Sequence, residues 1–118
     1  MASVDRRPSI AFGAVVLLSL VVLFAPRAPS EHVIPNLDKV VHAGLFLLLA
    51  VTTWWRFGAR WAGLVSVIAY GAASEVIQSL ALAHRDGDVR DFFADAAGAL
   101  LGWILARRRA ATGTRIAS

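Results

Sequence analysis

Two short motifs place ionisable side chains at helical spacing within segments that are otherwise apolar. His42 follows Asp38 by four residues and Gln78 follows Glu75 by three, so each pair falls on one face of a helix. A carboxylate can orient an imidazole and raise its basicity, which general acid–base chemistry and metal ligation both require. Inside a membrane helix a carboxylate costs about 2.5–3.5 kcal/mol, so we expect Glu75 to point away from lipid.

A third polar pair, Asp91 and Asp95, lies four residues apart at the start of the last apolar segment. Asp91 has the simpler interpretation of a helix N-cap, whereas Asp95 lies one turn deeper. Gly98 and Gly102 continue the same spacing, which allows two membrane helices to approach closely. The preceding loop contains Arg85, whose guanidinium can hold a phosphate or carboxylate through two hydrogen bonds.

The composition indicates that membrane helices position these side chains. Of the 118 residues, 58% are hydrophobic and 17% are charged, against about 45–50% and about 25% in soluble proteins. A soluble domain of this size would leave part of that apolar surface uncovered. The absence of cysteine excludes disulfides and thiolate metal sites. Because the basic residues flank apolar segments, we expect a lipid bilayer as partner and no nucleic acid.

The apolar segments predict an all-α, polytopic membrane protein with four transmembrane helices in an antiparallel bundle. The expected helices cover about 10–25, 39–55, 61–83 and 91–106, within a transmembrane domain at 10–106. A cytoplasmic N-terminus (1–9) precedes this domain and a basic cytoplasmic tail (107–118) follows it. Short connections favour antiparallel neighbours. The first segment has the alternative interpretation of a cleaved signal peptide, which Pro26 and Pro29 disfavour because each would directly follow a possible cut.

The positions of the basic residues predict the orientation in the membrane. Eight fall on the side of the termini: Arg6, Arg7, Arg56, Arg60, Arg107, Arg108, Arg109 and Arg115. Four fall on the opposite side: Arg27, Lys39, Arg85 and Arg90. Since basic residues are retained on the cytoplasmic side, we expect a multi-pass protein of the cytoplasmic membrane with both termini in the cytoplasm.

With this topology, seven polar side chains converge at the outer membrane face, while the first helix contributes none. The predicted binding residues are Asp38, His42, Glu75, Gln78, Arg85, Asp91 and Asp95. Four of them, His42, Glu75, Asp91 and Asp95, are candidates for catalysis. Because the chain lacks His-Glu-x-x-His and other tight ligand motifs, the motifs by themselves indicate no metal and no cofactor.

These residues resemble those of the VanZ-like family of small bacterial integral membrane proteins. The matching motifs are D-K-V-V-H (38–42), S-E-V-I-Q-S (74–79) and R-D-G-D-V-R-D-F-F-A-D-A-A-G-A-L-L-G (85–102). Their order and spacing agree over more than half of the chain, although Asp95 stands where the family usually has Asn. The resemblance implies a protein of the cell envelope, in a family whose namesake is associated with low-level resistance to the glycopeptide antibiotic teicoplanin.

Several functions are compatible with this pattern, and they leave open whether the chain is an enzyme. The leading hypothesis is an envelope protein with an outward-facing polar pocket for an anionic lipid-linked or glycopeptide-like ligand. A second is a metal-dependent intramembrane hydrolase or transferase, with the four catalytic candidates as ligands for the ion. A third is a structural assembly protein whose polar cluster only determines helix register. Transport is disfavoured because the first helix lacks the carboxylate on which small multidrug exporters rely.

Overall fold

The computed structural model describes residues 4–24, 37–81 and 89–117, and in these ranges the chain forms four helices and no strand. The helices are α1 (Arg7–Phe24), α2 (Leu37–Phe57), α3 (Trp61–Ala81) and α4 (Val89–Ala117). The prediction of an all-α fold is therefore confirmed. α4 continues to Ala117, so the basic segment that begins at Arg107 is also helical.

Local interactions determine where α1 begins. Asp5 accepts hydrogen bonds from the backbone amide of Arg7 at 3.0 Å and from its guanidinium at 3.1 Å. Pro8 occupies the first turn, where its missing amide proton leaves no helical hydrogen bond unmade. The side-chain and backbone hydrogen bonds from Arg7 hold the pKa of the Asp5 carboxyl below its ordinary value.

The connection between α2 and α3 is short because a glycine ends α2. Gly58 has a φ of 85°, in the left-handed region that favours glycine, and its amide donates to the carbonyl of Trp54 at 2.7 Å. The amide of Gly63 in turn donates to the carbonyl of Arg60 at 2.9 Å. The chain reverses direction here, so α2 and α3 are antiparallel neighbours.

The most extensive contact between helices is that of α2 with α4. A Cβ atom added at Gly98 would overlap the backbone carbonyl of Ala43, and one added at Gly102 would overlap that of Leu47. On each helix the two contact positions are four residues apart, so they form one stripe. The residue numbers rise together on both helices, which means that α2 and α4 are parallel and their backbones touch.

An apolar core fills the space between the helices. It consists of Leu23, Leu45, Phe46, Leu49, Ala50, Leu64, Val67, Ala99 and Trp103. The rings of Trp54 and Trp103 meet edge to face, with centroids 4.7 Å apart. The rings of Phe46 and Tyr70 lie 5.8 Å apart and join α2 to α3.

The outer surface is more apolar than that of a protein in water. Leu17, Val65 and Leu80 expose 64%, 61% and 82% of their surface, whereas several ionisable side chains are buried. Three segments are long and apolar enough to cross a membrane: Arg7–Phe24, Lys39–Phe57 and Trp61–Leu80. An apolar exterior around polar groups is favourable only when lipid is the solvent, so the chain is a membrane protein.

The backbone contact between α2 and α4 leads to a first prediction. In Gly98→Ala the added methyl group would force the two helices apart. We expect a loss of about 1–3 kcal/mol in the free energy of unfolding, the usual cost of overpacking. Unfolding by sodium dodecyl sulfate in mixed micelles, followed by circular dichroism, measures it.

Gly44→Ala is the matched control, because Gly44 also lies on α2 but has no atom within 4 Å of an added Cβ. This variant should be as stable as the wild type or more stable by up to about 1 kcal/mol, since alanine favours the helix. Equal stability of the two variants would contradict the backbone contact.

Candidate functional site

Three ionisable side chains from three helices meet inside the protein, and we call them the polar centre. They are His42 of α2, Glu75 of α3 and Asp95 of α4, which are 2%, 8% and 0% exposed. Nδ1 of His42 lies 2.7 Å from Oδ1 of Asp95 and 3.8 Å from Oε1 of Glu75. Each side chain offers one nitrogen or oxygen atom, and these three atoms lie within 4.8 Å of one another.

Two glycine positions bring these three helices close enough for the contact. Gly98 lies three residues beyond Asp95, so the backbone contact of α4 with Ala43 places Asp95 next to His42. On α3, a Cβ atom added at Gly71 would lie 3.2 Å from the Cβ of Asp95. The small residues therefore allow a carboxylate on α4 to pack against both neighbouring helices at once.

A second ion pair lies one turn away from the polar centre. Nζ of Lys39 is 3.6 Å from Oδ1 of Asp91, and the two side chains are 28% and 2% exposed. Lys39 precedes His42 by three residues and Asp91 precedes Asp95 by four, so both pairs lie on the same α2–α4 contact. In the sequence, Lys39 counted toward the orientation and as part of the D-K-V-V-H motif, but not as a binding residue. Its position about one helical turn before His42 is the signal that could have identified it, because Asp91 likewise lies about one turn before Asp95.

The polar stripe of α3 serves two different neighbours. Glu75 faces His42, whereas Nε2 of Gln78 donates to the backbone carbonyl of Leu23 on α1 at 2.5 Å. Gln78 is 1% exposed and therefore joins α3 to α1 rather than contributing a side chain to the polar centre. The sequence predicts that the first helix contributes no polar side chain to the cluster. The group that α1 offers to Gln78 is a backbone carbonyl, which every residue carries and which no sequence pattern indicates.

The predicted binding residues thus divide by position. His42, Glu75 and Asp95 are brought together, Asp91 is in the adjacent ion pair, and Gln78 is buried against α1. Arg85 and the side chain of Asp38 lie outside the described residues.

The polar centre has the chemistry of a cation or proton site. One imidazole nitrogen and two carboxylates form a ligand set suited to a divalent transition metal, and the same groups can pass a proton. Oδ2 of Asp95 is buried and has no hydrogen-bond partner within the described residues. Buried polar atoms normally have a hydrogen-bond partner. A ligand bound at this position would supply the partner that Oδ2 lacks.

The hydrogen bond between His42 and Asp95 can be measured by a double-mutant cycle. We expect His42→Ala and Asp95→Ala to show a coupling energy of about 0.6–1.7 kcal/mol, the range found for polar contacts between membrane helices. The free energies of unfolding of the two single variants and the double variant, measured in mixed micelles, give this value.

The control cycle pairs His42→Ala with Thr52→Val, which lies ten residues further along α2. The two side chains are about 15 Å apart along the helix axis, so their effects should add. The hydroxyl of Thr52 donates within α2, to the carbonyl of Leu48 at 2.7 Å. A His42–Asp95 coupling no larger than this control would contradict the contact.

The comparisons with known proteins agree with the arrangement of these motifs. The chain matches the family described as VanZ/LLP1 over residues 6–111. No curated protein and no solved structure matches it significantly. The matched region contains all four helical segments up to residue 111, including every residue of the polar centre. The chain therefore belongs to the VanZ-like family.

Proposed function

We propose that all four helices cross the cytoplasmic membrane, in an antiparallel bundle with both termini in the cytoplasm. The apolar composition of α1, α2 and α3 supports three of the crossings. For α4, the support is its extensive contact with α2 and the burial of Asp91 and Asp95 toward the other helices. Leu101 and Ile104 of α4 are about half exposed, as expected of a face toward lipid.

In this orientation the polar centre lies in the outer half of the membrane, where α1 ends and α4 begins. The proposed function is that of an envelope protein with an outward-facing polar pocket for an anionic lipid-linked or glycopeptide-like molecule. The observation that carries it is the convergence of His42, Glu75 and Asp95 within 4.8 Å. A membrane helix tolerates such groups where they serve a ligand, an ion or a proton. Arg85, which precedes α4 in the sequence, would hold the phosphate or carboxylate of the ligand.

A link to teicoplanin-type resistance follows from the family and is part of the same proposal. We expect Glu75→Gln, His42→Ala and Arg85→Ala each to abolish any teicoplanin tolerance that the wild-type chain confers on a susceptible bacterial strain. Each removes a charge or ligand atom while leaving the apolar faces intact, so membrane insertion should persist. Drug susceptibility and the amount of protein in the membrane fraction are the measurements.

Ser66→Ala is the control, because Ser66 is exposed and its hydroxyl donates to the carbonyl of Ala62 in its own helix. It should retain the wild-type phenotype. If the three polar variants also behave as wild type, the pocket is wrong and a structural role in helix register is favoured.

The ligand set of the polar centre favours one further candidate, a metal-dependent intramembrane hydrolase or transferase. His42, Glu75 and Asp95 would hold a divalent ion, which can polarise a phosphate or ester oxygen of a lipid-linked substrate and activate a water molecule. A bound ion would also give Oδ2 of Asp95 a partner in the buried interior.

Metal analysis of the purified protein tests this second candidate. We expect a stoichiometric divalent ion that is retained through gel filtration and lost in His42→Ala and Glu75→Gln. Gln78→Leu is the control, because Gln78 bonds to α1 and should leave the ion in place. Wild-type protein that holds no ion after incubation with zinc or manganese would exclude the metal-dependent enzyme.

A further inference from the structure

Within the described residues, two side-chain hydrogen bonds join α1 to α3. The hydroxyls of Ser19 and Tyr70 are 2.8 Å apart, and the amide of Gln78 reaches the carbonyl of Leu23. Both contacts lie toward the end of α1 that is nearest the polar centre. A cavity of about 390 Å³ lies between α1, α2 and α3, toward the opposite end of α1. We call it the arginine-end cavity.

The walls of the arginine-end cavity are mostly apolar. Leu49 and Val67 are buried, with 3% and 6% exposure, and form its inner side. Phe12 and Phe57 also line it, and their rings meet edge to face with centroids 5.2 Å apart. Phe57 is 48% exposed, so the cavity reaches the surface at the junction of α2 and α3.

The rim of the cavity is cationic. Arg60 is among the lining residues, and the guanidinium of Arg56 lies over the ring of Phe57 at 4.7 Å from its centroid. No acidic residue lines the cavity within the described part of the chain. An apolar interior that ends at two guanidinium groups is complementary to a hydrocarbon chain that ends at a phosphate.

We propose that the arginine-end cavity binds one acyl chain of an anionic phospholipid, with the lipid phosphate at Arg60 and Arg56. The site is distinct from the polar centre, because its residues come from the opposite ends of α1, α2 and α3. Tryptophans at this end, Trp55 and Trp61, are exposed as expected of residues at the membrane interface. The bound chain would fill the space between α1, α2 and α3.

Native mass spectrometry of the full chain tests the proposal. The protein is equilibrated in micelles with equal amounts of dioleoyl phosphatidylglycerol and dioleoyl phosphatidylcholine, and the retained lipid is identified. We expect one phosphatidylglycerol to be retained with about a thirtyfold preference, the effect of two basic residues at an anionic surface. Arg60→Gln should reduce that preference to about fivefold, the effect of the remaining arginine. Val16→Phe, which places a ring in the cavity, should abolish retention of both lipids.

Arg108→Gln is the matched control, since Arg108 is exposed on α4, which does not line the cavity. It should keep the wild-type preference. Equal retention of the two lipids by the wild type would overturn the proposal, and so would an equal loss in Arg60→Gln and Arg108→Gln. If Val16→Phe is not helical in micelles, Ala62→Leu is used in place of that variant, because it fills the same cavity. Retention unchanged by a helical filling variant also overturns the proposal.

Discussion

The structure depends on one constraint, which is that the backbones of α2 and α4 touch. Gly98 and Gly102 have no room for a side chain against the carbonyls of Ala43 and Leu47. This contact determines both the separation of the two helices and their register. Because Lys39 and His42 lie on one helix and Asp91 and Asp95 on the other, a shift by one residue would separate both buried pairs. The stability of the fold and the geometry of the polar centre therefore rest on the same four positions.

Several of the polar groups in the interior of this protein form contacts between helices. The His42–Asp95 and Lys39–Asp91 pairs join α2 to α4, and the hydroxyls of Ser19 and Tyr70 join α1 to α3. In lipid, apolar side chains gain little by leaving the solvent, so helices associate through close packing and polar contacts. The buried polar groups thus have a structural effect whether or not the polar centre binds a ligand. If the same groups also bind a ligand, substituting them changes the phenotype while the protein still inserts into the membrane. Measuring phenotype and membrane insertion together therefore separates the two roles.

The two ends of the helices differ in chemistry. One end contains the polar centre, where two carboxylates and an imidazole from three helices are buried. The other contains an apolar cavity with arginines at its rim. This asymmetry agrees with the proposed orientation, in which most basic residues lie on the cytoplasmic side and the proposed ligand binds at the opposite face. The proposed polar ligand and the proposed lipid chain would then occupy separate sites. A variant that loses the binding of one can therefore still be tested for the binding of the other.

Much of the fold could be predicted from the amino-acid sequence. Apolar runs and their flanking arginines indicate helices and a membrane environment directly, because transfer into lipid depends on composition and length. The predicted topology also brought His42, Glu75 and Asp95 to the same membrane face, since each lies near the same end of its apolar segment. The motifs over 38–102 were enough to indicate the family, which the match over 6–111 confirms.

Other features were decided by the tertiary structure alone. The partner of Gln78 is the carbonyl of Leu23, and every residue has a carbonyl, so only the packing of α1 against α3 selects it. The salt bridge of Lys39 with Asp91 depends on the register between two helices that are separated by α3 in the chain. The arginine-end cavity is lined by residues of α1, α2 and α3 together, so only the packing of these helices creates it. Sequence spacing determines which residues share one helix face, but the distances between faces of different helices are determined by how their backbones pack.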